Sequence, residues 1–315
     1  MFDLQVFLLT LEKVAFLLLF IFIGYTMRRS NKLDRNSATT LSVLTTWVFS
    51  PSYTITNLPK TFTIENLGSN VLLIVASTLL VFPVIGVARV LAAKLGREDF
   101  EKRTLSYMLA FSNIGYFGYP VVEGVFGDEM LAKFMVFCLP FNLAICSYGY
   151  SLFMKSSGKK FSLVGVLFSP LMLGCYAGYF LGLTGIKLPS LLNTAFSAAG
   201  ACMSPASMLL AGIVMGSFPL KKLLSGVRPY LLGVVRLLLI PLLFGIPLYL
   251  VGLRGIYLFL SLVIISMPSG MNIVVYPESL GQDSSENAKL CFVSTLMSLV
   301  TLPFVFSLIK MISGL

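Results

Sequence analysis

Ten long apolar runs dominate this sequence and limit what it can fold into. They cover residues 5–27, 38–58, 68–93, 104–126, 131–154, 162–184, 190–217, 228–251, 255–280 and 287–311 of the 315-residue chain. About 20 apolar residues in a helix cross the hydrocarbon core of a bilayer. Hydrophobic residues make up 57% of the chain and charged residues only 11%, against about 25% charged residues in soluble domains. The sequence therefore predicts an all-α polytopic membrane protein with ten transmembrane helices.

The charge and side-chain inventory argues against several classes of protein. The net charge of +10 rests on few charged residues, so it reflects the basic loops of a membrane protein rather than a nucleic-acid-binding surface. The chain has no histidine, and its 5 cysteines form no CxxC pair, which leaves a zinc or redox site without support. No cofactor is predicted. The sequence shows no Ser–His, paired-carboxylate or metal motif, and we therefore do not expect an enzyme.

The basic residues of the short loops predict the orientation in the membrane. If the amino terminus lies outside, the loops after odd-numbered segments hold fifteen Lys and Arg residues and the other loops hold five. Basic residues concentrate in cytoplasmic loops. We therefore predict a multi-pass protein of the cell (plasma) membrane with both termini extracellular. Lys102 and Lys159 would then face the cytoplasm.

Several residue pairs recur at one spacing and indicate an internal repeat. The pairs 154 residues apart are Gly24-Tyr25 with Gly178-Tyr179, Ser50-Pro51 with Ser204-Pro205, and Gly127 with Gly281. Each half holds five segments, an odd number, so the second half must enter the membrane from the opposite side. We therefore predict two inverted repeats, residues 1–154 and 155–315. Inverted repeats are common in secondary transporters, whose binding sites lie at the repeat interface near the membrane midplane.

The fourth and ninth segments are interrupted by proline, glycine and asparagine. Residues 111–120 read FSNIGYFGYP, and residues 267–277 read MPSGMNIVVYP. Proline and glycine free backbone groups that hydrocarbon cannot satisfy, so such breaks persist only inside protein or beside water. Amides and helix amino ends exposed at a break can bind anions. We therefore predict that helices 4 and 9 are broken, that they cross, and that both contribute to a substrate site.

The same residues carry a resemblance to a known family. Residues 113–120, followed by Phe126-Gly127, resemble the N-x-G-[FY]-x-G-x-P…[FY]-G signature of the auxin efflux carrier family. Residues 267–272 and 294–303 resemble the bacterial second-half pattern M-P-[SA]-x-x-N…S-T-L-x-S-x-x-T-[LI]-P. The family unites bacterial transporters with the plant PIN auxin exporters. The chain resembles the bacterial type, because it lacks the long loop that the plant proteins carry between the fifth and sixth segments.

The resemblance implies a transporter built from two parts. Segments 1, 2, 6 and 7 would form a scaffold, through which the protein would pair as a homodimer. Segments 3–5 and 8–10 would form a transport domain that slides as an elevator. The substrate would be a small organic anion, a carboxylate such as malate, malonate or an auxin-like acid. The alternative is a transporter-like membrane receptor or regulatory subunit that binds a carboxylate without net transport.

The candidate site residues come from the two breaks and from one charged position. The predicted substrate-binding residues are Asn113, Gly115, Gly118, Pro120, Pro268, Ser269, Gly270, Asn272 and Arg236. Asn113 and Asn272 would donate side-chain hydrogen bonds to a carboxylate. Arg236 would either pair with the substrate or extend to the membrane interface. Glu123 and Glu278 are the carboxylates available for proton coupling, and the sequence leaves coupling to H⁺ or Na⁺ open.

Overall fold

The structure is a computed structural model that describes residues 3–154 and 163–315. Within these ranges every regular element is a helix, apart from one isolated β-bridge. In chain order the α-helices are α1 (Leu4–Arg29), α2 (Arg35–Leu44), α3 (Ser50–Asn57), α4 (Leu67–Leu95), α5 (Asp99–Ala110), α6 (Tyr119–Phe137), α7 (Leu139–Ala144), α8 (Tyr150–Met154), α9 (Leu163–Leu167), α10 (Pro170–Thr184), α11 (Ser190–Ala201), α12 (Met203–Met215), α13 (Leu220–Leu223), α14 (Arg228–Val234), α15 (Ile240–Leu250), α16 (Gly255–Ser266), α17 (Asn272–Ser279) and α18 (Ser285–Ser313). Short turns join or extend them, four π-helical ones at Thr45–Phe49, Ile114–Gly118, Ile145–Gly149 and Val235–Leu239 and a 3-10 turn at Leu58–Lys60.

The length and hydropathy of the helices confirm a multi-pass membrane protein. The stretches long and apolar enough to cross a membrane are Leu4–Arg29, Leu67–Leu95, Ser190–Met215, Arg228–Leu250 and Ser285–Ser313. A bent pair, Ile114–Phe137 with Leu139–Met154, turns by 46° and passes the same test together. Each of the ten predicted segments contains helix. The count of ten membrane crossings and their inversion stay predictions.

Two sequence-based predictions fall on parts of the chain that the structure does not describe. The basic loop with Lys155, Lys159 and Lys160 lies outside the described residues, and so does the start of the second predicted repeat at residue 155. The side chain of Glu278 is also outside the described part.

A helix from the first segment of each half packs against the second segment of the other half. A Cβ on Gly24 of α1 would lie 2.3 Å from the carbonyl oxygen of Leu209 in α12. A Cβ on Gly178 of α10 would lie 2.9 Å from the carbonyl oxygen of Thr54 in α3. Because Cβ atoms do not approach backbone this closely, glycine is required where these helices touch. Gly24 and Gly178, which are 154 residues apart, thus make corresponding contacts. Each of them allows one half of the chain to touch the second segment of the other half.

A second recurring pair shares an unusual backbone conformation. Gly127 has φ of 82° and Gly281 has φ of 72°, a left-handed region that glycine enters at little cost. Gly127 interrupts the regular backbone inside α6, and Gly281 follows α17. The two halves therefore bend the chain at equivalent positions after their broken segments.

Two short helices, α5 and α16, contain stretches that are buried on all sides. Residues 104–110 of α5 and residues 258–266 of α16 are all buried. The long helix α4 instead buries one stripe and leaves large apolar side chains such as Leu79 (70% exposed) and Phe82 (68% exposed) on its outer face. An outer surface of this kind suits lipid. Both buried helices end where the predicted breaks begin.

Candidate binding site

The first break separates α5 from α6. Helix α5 ends at Ala110, Phe111 is extended, and Asn113 precedes the π-helical turn that leads into α6. The amide of Gly118 donates to the carbonyl oxygen of Asn113 at 2.9 Å, which closes that turn. Pro120 lies just after this turn, in the helix that runs on into α6. Because it has no N–H to donate, a carbonyl group of the turn is left for other donors, and the Ser204 hydroxyl donates to Tyr116 at 3.5 Å. The local sequence thus stops one helix and starts the next within a few residues.

The second break separates α16 from α17. Helix α16 ends at Ser266, the cap residue Met267 is extended, and helix resumes at Asn272. Pro268 cannot continue α16 because it lacks an N–H for the helical ladder. The amide of Ser269 instead donates to the Ser294 hydroxyl of α18 at 3.3 Å.

An antiparallel bridge joins the two breaks. Ser112 pairs with Ser269. The amide of Asn113 donates to the carbonyl oxygen of Pro268 at 2.9 Å, and the amide of Gly270 donates to that of Phe111 at 3.0 Å. Backbone groups without a partner are costly in an apolar interior. Each break therefore satisfies backbone groups that the other break has freed.

A cavity of about 280 Å³ lies against this bridge. Four predicted site residues line it: Asn113, Gly115, Gly270 and Asn272. The side chain of Asn272 donates to the hydroxyl of Tyr276 at 3.1 Å. All residues that line the cavity, within the described ranges, are uncharged. We refer to this space as the inner cavity.

The other predicted site residues lie outside the inner cavity. Gly118, Pro268 and Ser269 belong to the turn and the bridge behind its wall. A Cβ on Gly118 would lie 2.5 Å from the sulfur of Met267, so this glycine serves close packing between the breaks. Pro120 lines a different cavity.

Arg236 lies behind the bridge and lines neither the inner cavity nor that second one. It is fully buried, at 0% exposure. Its guanidinium donates to the carbonyl oxygen of Leu109 at 2.8 Å and to the hydroxyl of Ser112. Arg236 is therefore buried rather than extended to the membrane interface, and its contact with a substrate stays a prediction.

A row of hydroxyl residues in the second segment also lines the inner cavity, and these residues were not predicted from the sequence. Ser42, Thr46 and Ser50 line the wall that faces the breaks. Their spacing of four residues places them on one face of a helix. Three hydroxyl residues at this spacing within an apolar segment are a signal that could have identified them.

A smaller space of about 230 Å³ adjoins the inner cavity and leads to a basic residue. Ser42, Leu210 and Val275 line both spaces. Arg28, at the end of α1, lines the far side of the smaller one. By the loop-charge prediction this end faces the cytoplasm. Arg28 thus places a positive charge at the smaller space that adjoins the inner cavity.

A larger cavity of about 490 Å³, the outer cavity, lies on the other side of Gly115 and Met203. Both of these residues also line the inner cavity. A Cβ on Gly115 would lie 3.3 Å from the terminal methyl carbon of Met203. The two cavities are therefore separated by little more than the contact between these two residues.

The outer cavity is lined by charged residues, unlike the inner one. Glu123 accepts a hydrogen bond from the hydroxyl of Tyr53 at 3.3 Å. Lys60 donates to the side-chain oxygen of Asn57 at 2.8 Å and lies 3.9 Å from the carboxylate of Asp128. Among the described residues, no group of His, Cys, Asp and Glu is arranged to hold a metal ion.

The sequence family agrees with this architecture. The model of the family described as "Membrane transport protein" matches the chain twice, over residues 9–164 and over residues 159–306. The chain belongs to this family. A family member from Methanothermobacter thermautotrophicus, named "Uncharacterized transporter", is 26% identical over 303 residues, which cover 95% of this chain and 98% of the relative. The resemblance to auxin efflux carriers is confirmed, and the protein is a membrane transporter rather than an enzyme.

Proposed function

We propose that this transporter carries small organic anions, carboxylates such as malate, malonate or auxin-like acids, across the cell membrane. The observation that carries the proposal is the bridge, which brings Asn113 and Asn272 from opposite halves to one cavity. Helical structure begins at the wall of this cavity with Ile114 and again with Asn272. Amino ends of helices carry partial positive charge and free N–H groups. At the Asn272 end the next three amides already donate to the carbonyl oxygens of Gly270 and Met271. A carboxylate in the inner cavity would therefore be held by the amino end at Ile114 and by the two asparagine side chains.

The proposed mechanism is an elevator in which α4–α8 and α13–α18 slide against α1–α3 and α9–α12. The polar contacts between these two sets around the outer cavity are few and weak in the described part of the chain. Tyr53 donates to Glu123 at 3.3 Å, and the exposed Lys60 lies 3.9 Å from Asp128. An ion pair this exposed contributes about 0–1 kcal/mol. The two sets also meet between α1 and α18, where Lys310 lies 2.8 Å from the carboxylate of Asp3. A sliding motion would have to break this ion pair as well as the weak contacts around the outer cavity.

Uptake into proteoliposomes tests the proposal. Purified protein is reconstituted and offered labelled malate, malonate and indole-3-acetate, each with and without a sodium or pH gradient. We expect saturable uptake of at least one acid, and the gradient that accelerates it identifies the coupling ion. Binding without uptake would instead support the receptor alternative. Neither binding nor uptake of any acid would contradict the proposal.

A cross-link across the outer cavity tests the elevator. In a background without native cysteines, Tyr53→Cys and Glu123→Cys would place one thiol on each of the two helix sets. Because the Tyr53 and Glu123 side chains touch only at their tips, the two thiols are joined with a bifunctional methanethiosulfonate reagent, which spans the gap that the shorter cysteines leave. We expect this cross-link to stop uptake while carboxylate binding remains, and reduction to restore uptake. The Tyr53→Cys single variant is the control for the reagent itself. Unchanged uptake by a fully cross-linked sample would contradict the sliding motion.

The orientation, the location in the plasma membrane and a homodimer through the scaffold belong to the same proposal. A cysteine at Lys102, in a cysteine-free background, should react with membrane-impermeant reagents only from the cytoplasmic side. Labelling from outside would reverse the proposed topology. Mass measurement of the purified protein in detergent, corrected for bound detergent, checks the dimer.

A further inference from the structure

The second half of the chain buries a positive charge beside the bridge. Arg236 belongs to the π-helical turn Val235–Leu239, between α14 and α15, and its side chain is fully buried. None of the ion pairs found among the described residues includes it. A buried charge without a partner of opposite charge is expensive. This arrangement therefore requires other groups that stabilise the guanidinium.

The stabilising groups are the carboxyl ends of the two buried helices. The guanidinium donates to the carbonyl oxygen of Leu109 at 2.8 Å and to the hydroxyl of Ser112. The Ser112 hydroxyl in turn donates to the carbonyl oxygen of Ile264. Leu109 lies in the last turn of α5, and Ile264 lies in the last turn of α16. The last carbonyl groups of a helix lack helical partners and carry partial negative charge, which a cation stabilises.

This hydrogen-bonded chain fixes the geometry of the candidate site. Ser112 is one of the two bridged residues, and it also lines the inner cavity. Asn113 follows it directly. The guanidinium therefore lies one side chain behind the cavity wall, and the same contacts hold both helix ends in register at the bridge.

The charge also acts on the cavity itself. The described lining of the inner cavity contains no charged residue, so Arg236 supplies a fixed positive charge next to an otherwise neutral space. A cation several ångströms from an anion still attracts it when little water lies between them. Two nitrogens of the guanidinium donate to Leu109 and Ser112, its Nε has no partner among the described residues, and the side chain lines neither cavity. It therefore attracts an anion in the inner cavity without forming a direct contact that would select one molecular shape.

We infer that Arg236 is a positioning residue for the anion site: through Ser112 it locks the two helix ends at the bridge, and its charge makes the inner cavity selective for anions. The inference rests on the proposed function, since it concerns the same cavity. It differs from direct substrate binding, because the substrate would never touch the guanidinium.

The test compares acids with their uncharged or less charged amides. Calorimetry on purified protein measures the dissociation constants of malonate and malonamate, malate and malamate, and indole-3-acetate and indole-3-acetamide. Each pair differs by one negative charge. In Arg236→Gln we expect the preference for acid over amide to fall by about tenfold, as a lost charge interaction of roughly 1–2 kcal/mol implies. Arg236→Lys keeps the charge and should keep most of that preference.

Two further variants separate charge from positioning. Ser112→Ala keeps the charge but breaks the chain of hydrogen bonds, so it should weaken acid and amide binding to the same extent. Arg89→Gln removes an exposed arginine from α4 and should change neither dissociation constant. If Arg236→Gln is not monodisperse, the double variant Arg236→Met with Ser112→Ala is used instead, because it removes the guanidinium and its hydroxyl partner together. Its preference for acid over amide is then compared with that of Ser112→Ala alone.

The outcomes distinguish this inference from the proposed function. If the wild-type protein binds none of the six compounds, the proposed carboxylate transport fails. If it binds acids but the preference over amides is unchanged when Arg236 is neutralised, the charge role is wrong while carboxylate binding stands. If Ser112→Ala binds both acid and amide as tightly as the wild type, the positioning role is wrong.

Discussion

The two helix breaks meet at one bridge, yet they are supported by different chemistry. The first break is backed by a buried guanidinium, which reaches Ser112 from the other half of the chain. The second break is backed by neutral groups of the next helix in its own half, α18. There the Ser269 amide donates to the Ser294 hydroxyl at 3.3 Å. The Ser269 hydroxyl itself has no hydrogen-bond partner in the described part of the chain.

This difference predicts that the first break is the firmer of the two. Hydrogen bonds that involve a charged group contribute about 1.5–3 kcal/mol to stability, and neutral ones about 0.5–1.5 kcal/mol. The guanidinium bonds the first break directly, at Ser112, and reaches the helix end before the second break only through the Ser112 hydroxyl and Ile264. The direct side-chain support of the second break, from Ser294, comes from its own half. A substrate that requires the site to adjust would therefore displace residues 267–271 more easily than residues 111–113.

The largest expected effect comes from a substitution that opens the bridge and so disturbs both breaks. A Cβ on Gly270 would lie 3.1 Å from the carbonyl oxygen of Ser112 and 3.3 Å from a ring carbon of Tyr107. We expect Gly270→Val to abolish transport and to lower stability by about 1–3 kcal/mol, the usual cost of overpacking. Thermal unfolding and uptake measure the two effects. Gly68→Val is the matched control, because a Cβ there meets no atom within 4 Å.

Removal of the asparagine side chains should weaken binding to different extents at the two breaks. Asn113→Ala should weaken carboxylate binding by about tenfold to a hundredfold, the loss of a hydrogen bond to a charged group. Asn272→Ala should weaken carboxylate binding less than Asn113→Ala does. The side-chain amide of Asn272 already donates to the Tyr276 hydroxyl, so it would be shared between that hydroxyl and the carboxylate. Calorimetry on monodisperse protein measures both, with the exposed Asn36→Ala as control. Unchanged affinity in both site variants would show that the site is elsewhere.

The smallest effects should come from the hydroxyl that supports the second break. Ser294→Ala should lower stability by about 0.5–1.5 kcal/mol. Ser112→Ala should cost more, about 1.5–3 kcal/mol, because it removes the bond to the guanidinium. Chemical unfolding in detergent measures the pair. Ser298→Ala is the control, since the Ser298 hydroxyl bonds only its own helix at Thr295. Equal losses at Ser112 and Ser294 would remove the asymmetry between the breaks.

Sequence reasoning located the breaks because their cause is local. Proline and glycine interrupt helices wherever they occur, and Asn113, Gly115, Gly270 and Asn272 do line one cavity. The pairing across the bridge could not be predicted in this way. Ser112 and Ser269 are 157 residues apart in number, whereas the repeat spacing is 154, so the register of the repeat does not identify bridged partners.

The position of Arg236 could not be predicted for a different reason. Its segment is apolar on all sides, so no polar face indicates which residues point inward. Exposed leucines such as Leu231 and Leu242 occupy the outer side of that segment, and only the packing of α14 and α15 shows that Arg236 points inward. The position of Pro120 could not be predicted either, although it lies only seven residues from Asn113 in the sequence. The turn at Ile114–Gly118 directs it to the outer cavity.

The contact between Gly115 and Met203 determines where the membrane potential would act. Cavities of about 280 and 490 Å³ approach it from both sides and are large enough to hold water. Water conducts the potential of each compartment inward, so most of the voltage would fall across this short stretch of protein. A unit charge that crosses 100 mV changes its energy by about 2.3 kcal/mol. In the proposed transport of an organic anion, the substrate would therefore gain or lose most of that energy over a displacement much shorter than the thickness of the bilayer.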